Sequence, residues 1–332
     1  SPPSPVILWL LWLFLCRFMF SSGAAKLTSK DPTWRDLTAM SYHYETQPIP
    51  NPLSWYAHQL PMWVQKASTV NMFILELLVP FLVFGPPPFK LGAFIGLCSL
   101  QLLIMVTGNF CFFNLLSIIL CIPLLNNDIL SFLTPYYQPM IAPQLPFMNY
   151  VIVSIGVVLI GCQLLQFLAL FTRNSPLFIL LGILSPFKIT SSYGLFAVMT
   201  THRYEIDIEG SEDGHTWKLY PFKWKPGNMT QRPSQFAPYH PRLDWQLWFV
   251  ALRPNQTPLW FNRFLKCLLE NKTDVLHLLK SNPFPDSSPQ FIRIVVNTYR
   301  FTTPEEKYTT KAWWKRKVEG TSQPISLENL EI

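Results

Sequence analysis

Apolar positions follow two regimes along the chain. Up to about residue 190 they form long runs, and beyond it they recur in short periodic groups separated by turns. A helix that crosses the hydrocarbon core of a bilayer needs about 20 mostly apolar residues. Residues 5–25, 70–84, 91–108, 110–125 and 150–172 reach or approach that length, which predicts about five transmembrane helices. A shorter run at 177–187 reads as a sixth span or a re-entrant piece. Gly85 followed by Pro86, Pro87 and Pro88 ends the second run sharply. The third and fourth are broken only at Thr107-Gly108-Asn109, which predicts a tight helical hairpin.

From residue 191 the period changes. Residues 203–209 alternate, with Tyr204, Ile206 and Ile208 on one face and Arg203, Glu205, Asp207 and Glu209 on the other, the pattern of a half-buried strand. A turn at 210–214 leads into a second strand at 215–222, so a β-hairpin is expected. Pro226-Gly227-Asn228 marks another turn, and residues 291–301 are a later strand. Helices are predicted at 243–252, with Asp244 as a candidate cap, at 258–269, with Pro258 in its first turn, and at 274–280. The expected architecture is a multispan α-helical membrane region over 1–190 followed by a soluble α+β domain over 191–332.

Charge sharpens this division. Residues 1–190 hold only 8 of the 26 Lys and Arg and 5 of the 19 Asp and Glu, too little polar surface for a soluble domain of that size. The net charge of +7 is spread thinly, without a basic run interleaved with stacking aromatics before the C-terminus, so nucleic-acid binding is excluded as the main role. The final basic and aromatic stretch, residues 311–317, suits either anionic headgroups or a solvated tail whose tryptophans dock on the domain. Cys16, Cys98, Cys111, Cys121 and Cys162 sit in apolar runs and only Cys267 in the soluble half. Neither a metal-type spacing nor a disulfide framework results. The sequence begins at Ser1 rather than Met and reads as a fragment or as a chain without its natural start.

Polar residues inside spans mark functional or structural sites. Arg17 and Glu76 are the candidates for an intramembrane ion pair, while Gln101, Asn109, Asn114, Gln163 and Gln166 suit interhelical hydrogen bonds. The loop at 26–67 is polar and aromatic, with His43 and Glu45 as a candidate acid–base pair. The plainer reading is a loop at the bilayer surface with Trp55, Tyr56 and Trp63 at headgroup level. Three sequons, at Asn228, Asn255 and Asn271, all lie in the soluble half, which favours a lumenal or extracellular C-terminal domain. Pro258 weakens the second. The chain carries no nucleophile elbow, phosphate loop or zinc motif, so no catalytic, cofactor or metal residues are assigned.

Several segments together resemble the lipase maturation factor family of endoplasmic reticulum membrane proteins. The most specific is 235–249 (QFAPYHPRLDWQLWF), joined by 42–47 (YHYETQ), 107–116 (TGNFCFFNLL) and 208–217 (IEGSEDGHTW). Residues 17–29 (RFMFSSGAAKLTS) look nearer to the family's factor 2 members than to its factor 1 members. The resemblance implies a multi-pass protein of the endoplasmic reticulum membrane with a lumenal C-terminal domain. It implies no enzyme activity but a helper role in the folding and assembly of secreted proteins, in particular immature lipases of the lipoprotein lipase type.

On that reading Arg242, Asp244, Trp245 and Trp248 are candidates for a partner surface, since large aromatics dominate binding energy. The rival is a membrane-embedded enzyme, because the spans loosely resemble those of vitamin K-dependent carboxylase-like proteins, where a desolvated Lys acts as base. Lys26, His43, Glu45 and Glu76 are its candidate residues. A transporter is disfavoured by the lack of internal repeats.

Overall fold

The computed structural model describes residues 4–126, 129–131, 146–172, 177–187, 189, 191, 194, 196–253 and 257–330. The chain forms two compact units, one of residues 1–39, 62–103 and 113–199 and the other of 40–61, 104–112 and 200–332. A single cut near residue 190 therefore misses two short segments of the N-terminal half, 40–61 and 104–112, which group with the C-terminal unit.

The first unit is helical. Among the described residues four helices are long and apolar enough to cross a membrane: Pro5–Thr28, Met62–Phe84, Pro87–Thr107 and Phe147–Leu168. Phe113–Leu124 and Phe178–Phe187 are shorter apolar helices. The expected run at 110–125 is curtailed because the chain leaves the helix after Thr107 and Cys111 adopts a left-handed φ of 58° before helix resumes at Phe113. The second span starts earlier than its apolar run, at Met62, and finishes as a 3₁₀ turn over Val79–Phe84 around Pro80, whose missing N–H removes a helical bond.

Burial is inverted relative to a soluble bundle. Ile95, Leu102, Ile155 and Val158 are exposed, whereas Ser22, Gln65, Thr69, Gln101, Asn114 and Gln163 are buried. Hydrocarbon tolerates the first set, and the second must find partners inside the bundle. Asn114 donates to Gln101 Oε1 at 2.8 Å, which ties helix Phe113–Cys121 to helix Pro87–Thr107. The chain is thus a multispan helical membrane protein with a C-terminal α+β domain.

In the second unit β1 (Arg203–Ser211), β2 (Lys218–Leu219), β3 (Phe291–Phe301) and β4 (Trp314–Thr321) form an antiparallel sheet in the order β2-β1-β3-β4. The hairpin predicted from alternation is β1–β2, with Glu209 opposite Leu219. Its turn is fixed by Asp213, whose Oδ1 accepts from the amides of His215 at 2.8 Å and Thr216 at 2.7 Å, and by Gly214 at φ 77°. In the basic stretch at 311–317 the tryptophans dock on the domain, while Lys315, Arg316 and Lys317 are exposed. Trp314 opens edge strand β4 and stacks on Phe301 at 4.2 Å between ring centroids.

Helix Leu259–Leu269 places Phe261, Phe264, Leu265 and Leu268 at i, i+3, i+4 and i+7, and all four are buried. Each such side chain contributes about 1.5–3 kcal/mol on burial. They pack with Leu247 and Val250 of helix Arg242–Leu252 against Ile206 and Ile208 of β1 and Ile292 of β3.

Candidate functional site

The charged face of β1 departs most from its sequence pattern. Alternation predicts Arg203, Glu205 and Asp207 facing water, yet they are 1%, 2% and 5% exposed. Burying an isolated charge is costly, so such residues persist only in mutually compensating sets. Arg203 Nη2 contacts Glu205 Oε1 at 2.5 Å. The Lys225 ammonium lies 3.2 Å from Glu205 and 3.4 Å from Asp207. Asp207 Oδ2 accepts from Asn297 Nδ2 at 3.0 Å and meets Arg316 Nη1 at 3.4 Å. Burial alone would lower the pKa of Lys225, but the carboxylates of Glu205 and Asp207 more than offset it and hold it above the ordinary lysine value. Burial, with Asp207 nearby, pushes the Tyr299 phenol up to about 12.

The outer end of this network ties down segment 40–61. Arg203 donates to the carbonyls of Glu45 at 2.9 Å, Gln47, and Pro48 at 2.9 Å. Glu45 itself accepts from the Phe301 amide at 3.1 Å, and the His58 ring sits 3.7 Å from its carboxylate. Burial holds His58 below the usual histidine range, with Glu45 acting against that shift. Trp55 is buried within the C-terminal unit. It is 4% exposed, donates to Thr302 O at 3.0 Å and packs with Tyr299, Phe301 and Trp314. The Lys307 ammonium lies over the rings of Trp55 and Trp313, at 3.8 and 3.1 Å from their centroids.

A second knot joins three segments far apart in sequence. Asn109 Nδ2 donates to Ser234 O at 2.7 Å, and its Oδ1 accepts from the amides of Phe236 at 3.1 Å and Ala237 at 3.3 Å. Asn51 bridges Val106 O at 2.8 Å and Gln235 Oε1 at 2.6 Å. Trp248 Nε1 donates to Thr46 O at 3.0 Å. The Phe110 ring stacks on His43 and meets Trp245 edge-on. Segments 42–47, 107–112 and 235–249 thus form one hydrogen-bonded assembly within the C-terminal unit.

Whole-chain comparison with known proteins is decisive. Residues 1–132 match the lipase maturation factor transmembrane domain and residues 189–324 match the lipase maturation factor C-terminal domain. The chain belongs to the lipase maturation factor family. It is 31% identical to lipase maturation factor 2 of Xenopus tropicalis, over 94% of this chain and 59% of that protein. For lipase maturation factor 2 of Homo sapiens the identity is 31%, over 98% and 61%. For lipase maturation factor 1 of Homo sapiens it is 30%, over 99% and 62%. The chain therefore spans about three fifths of the length of these relatives. No solved structure matches it.

Within this lipase maturation factor chain the sequence-derived candidates are redistributed. Glu76 is paired not with Arg17 but with Lys26, whose Nζ lies 2.6 and 2.9 Å from its two oxygens. Arg17 instead donates to Gln163 Oε1 and to Ser191 O at 2.6 Å. Lys26 was overlooked as the partner because it lies at the end of the apolar run, where it reads as a flank. Of the proposed partner surface, Asp244 and Trp248 are buried, Trp245 is half-buried and Arg242 is exposed.

Asp244 caps no helix. Its Oδ1 accepts from the amides of Trp224 and Lys225, both at 2.9 Å, so it fixes the backbone beside Lys225. Burial pushes its carboxyl up, and these amides oppose the shift. His43 and Glu45 both lie on helix Ala39–Thr46, where His43 stacks on Phe110 and Glu45 holds the Phe301 amide. Asn228 and Asn271 are described below, and Asn255 lies outside the described residues.

A cavity of about 500 Å³ opens beside the network, walled by Asp207, Lys225, Lys280 and Arg316 and by Tyr220, Phe222 and Met229. Lys225 was not singled out in the sequence, where nothing distinguishes it from the neighbouring Lys223, which is exposed. Among the described residues no three His, Cys, Asp or Glu side chains gather as metal ligands. Around the cavity one carboxylate, Asp207, faces three cations, Lys225, Lys280 and Arg316.

Proposed function

We propose that this chain acts as an endoplasmic reticulum membrane factor with a lumenal C-terminal domain, assisting folding, assembly and maturation of secreted proteins, in particular lipases such as lipoprotein lipase. The observation that carries the reading is the convergence of 42–47, 235–249 and the first six residues (107–112) of the 107–116 segment, all from stretches that resemble the family, into one assembly within the C-terminal unit. Such an assembly is a rigid platform, and rigid platforms suit recognition of a partner. The spans hold that platform at the membrane where secretory clients emerge, and the C-terminal unit faces the lumen. Immature lipases are the partners and the role is non-catalytic.

The membrane-enzyme alternative gains nothing from the geometry. Lys26 and Glu76 are bound to each other in the helical unit, while His43 and Glu45 serve packing and backbone bonds in the other unit. The test is to delete the gene in a lipase-secreting cell and assay active lipase in the medium. Restoration by the wild-type chain, and by a Lys26→Met/Glu76→Gln chain that keeps the bundle neutral, supports a folding role. Undiminished secretion of active lipase after deletion removes it.

A further inference from the structure

The two sequons that the structure describes are not equivalent. Asn228 is exposed, in the turn after Gly227. Its side-chain oxygen accepts from the amide and the hydroxyl of Thr230, each at 3.0 Å, so the residue is already folded back on its own sequon partner. Its Nδ2 donates to nothing among the described residues and is turned away from that bond.

Asn271 is arranged in the opposite way. Its backbone is left-handed, at φ 51°. Its Nδ2 uses both hydrogens, one to Phe284 O at 3.0 Å and one to Ser287 O at 3.2 Å, and its Oδ1 accepts from Asn282 Nδ2 at 3.2 Å. Asn282 closes the same loop by donating to Phe284 O and accepting from the Phe284 amide, both at 2.9 Å. The loop seats Phe284, 1% exposed, in the core.

N-glycosylation joins Nδ2 to C1 of N-acetylglucosamine. The Nδ2–C1 bond forms, and the bond from C1 to the pyrophosphate oxygen of a lipid-linked oligosaccharide breaks. The lipid pyrophosphate leaves, and one amide proton passes to a base of the transferase. The product amide keeps a single N–H. Asn228 loses nothing by this change. Asn271 must give up one of its two carbonyl bonds, and the sugar must stand where a carbonyl oxygen now lies at hydrogen-bond distance. Chains modified there cannot close the 282–287 loop and are lost from the folded population. We propose that the folded protein carries an N-linked glycan at Asn228 and none at Asn271. This rests on the lumenal placement proposed above.

The experiment expresses the full chain in mammalian cells with an extra reporter sequon appended after Ile332. Protease-resistant, detergent-extracted protein is treated with a glycan-releasing amidase in heavy-oxygen water, and the converted asparagines are mapped by mass spectrometry. Label is expected at Asn228 and at the reporter, and not at Asn271. Asn228→Gln and Thr230→Ala each lose one glycan-sized step in electrophoretic mobility, and Thr273→Ala, which leaves the Asn271 side chain in place, loses none.

Label at Asn271 in the folded fraction overturns the proposal. So does a glycosylated reporter with no label at Asn228, which leaves the lumenal placement standing. An unmodified reporter removes the placement and the proposal together.

Discussion

Replacement of Lys225 by Met tests whether the network on β1 is structural. The ammonium lies 3.2 Å from Glu205 and 3.4 Å from Asp207 and is almost wholly buried. At an effective dielectric of about 20, each contact is worth about 5 kcal/mol of gross attraction. Desolvation of the ions takes back several kcal/mol each, and truncating one member of a buried set typically costs about 3–5 kcal/mol. The contacts here are longer than the ~2.7–2.9 Å of the strongest charge-assisted bonds, which places the expected cost near the lower bound, about 3 kcal/mol. Domain stabilities are about 5–15 kcal/mol, so the loss is a large fraction of the total.

The network also makes a pH statement. Lys225 is held above the ordinary lysine value, so its contribution is complete below the unfolded pKa and declines only as pH rises through the folded one. Both lie well above neutrality, and the destabilisation should be the same at pH 6 and pH 8. The assay is urea-dependent pulse proteolysis of the detergent-extracted chain, following cleavage within 200–332. Lys225→Met paired with Asp207→Asn should lose less than the sum of the two single changes. A Lys225→Met protein within about 0.5 kcal/mol of wild type, the range of ordinary surface substitutions, would refute the reasoning.

Three further outcomes follow from the same geometry. Lys26→Met or Glu76→Gln alone should cost about 3–5 kcal/mol by leaving a buried charge unpaired, whereas the double change should recover most of it. Thermal aggregation in detergent reads the difference. Asn109→Ala removes one donor and one acceptor that serve Ser234, Phe236 and Ala237, at about 1–3 kcal/mol for each buried group left unmade. Hydrogen exchange at the Phe236 and Ala237 amides should rise well above that of β3.

The Asp213 carboxyl is held below the ordinary aspartate value by the amides of Thr216 and His215. It therefore supports the β1–β2 turn at all pH above 3.8 and releases it only on further acidification. Protection of those two amides relative to β1 should stay constant from pH 7 to 4 and fall below that.

Much of the architecture was legible in the sequence because it depends on period. The β1–β2 hairpin, strand Phe291–Phe301 and the stripe on helix Leu259–Leu269 are all set by which positions are apolar. The charged face of β1 was not. Alternation separates two faces and does not say which one meets water, and here Lys225, Asn297 and Arg316, remote in sequence, cover the polar one. The partner of Glu76 was misread for a related reason. A residue's place in an apolar run fixes its depth along the helix and leaves its azimuth open, and Lys26 rather than Arg17 faces helix Met62–Leu77. The stretch 26–67 reads as a surface loop because its aromatics and prolines suit an interface. Its carbonyls are instead the acceptors that Arg203 requires.

A fragment of 200–332 keeps the sheet and both core helices but lacks segment 40–61, the strap whose carbonyls Arg203 holds. Arg203 loses three carbonyl acceptors, Trp248 and the Phe301 amide lose theirs, and the Trp55 ring leaves its place beside Tyr299, Phe301 and Trp314. Hydrogen bonds to a charged group contribute about 1.5–3 kcal/mol each, so the three on Arg203 alone amount to about 4.5–9 kcal/mol. Water returns part of this to a guanidinium that is exposed again, yet the remainder is comparable to the whole stability of a domain of this size. The fragment alone should therefore show no cooperative unfolding by near-ultraviolet circular dichroism. A second fragment with residues 40–61 and 104–112 joined to it by flexible linkers should regain it. If 200–332 melts cooperatively at the temperature of the same unit in the full chain, the strap is a passenger, and Arg203 is buried for some reason other than holding it.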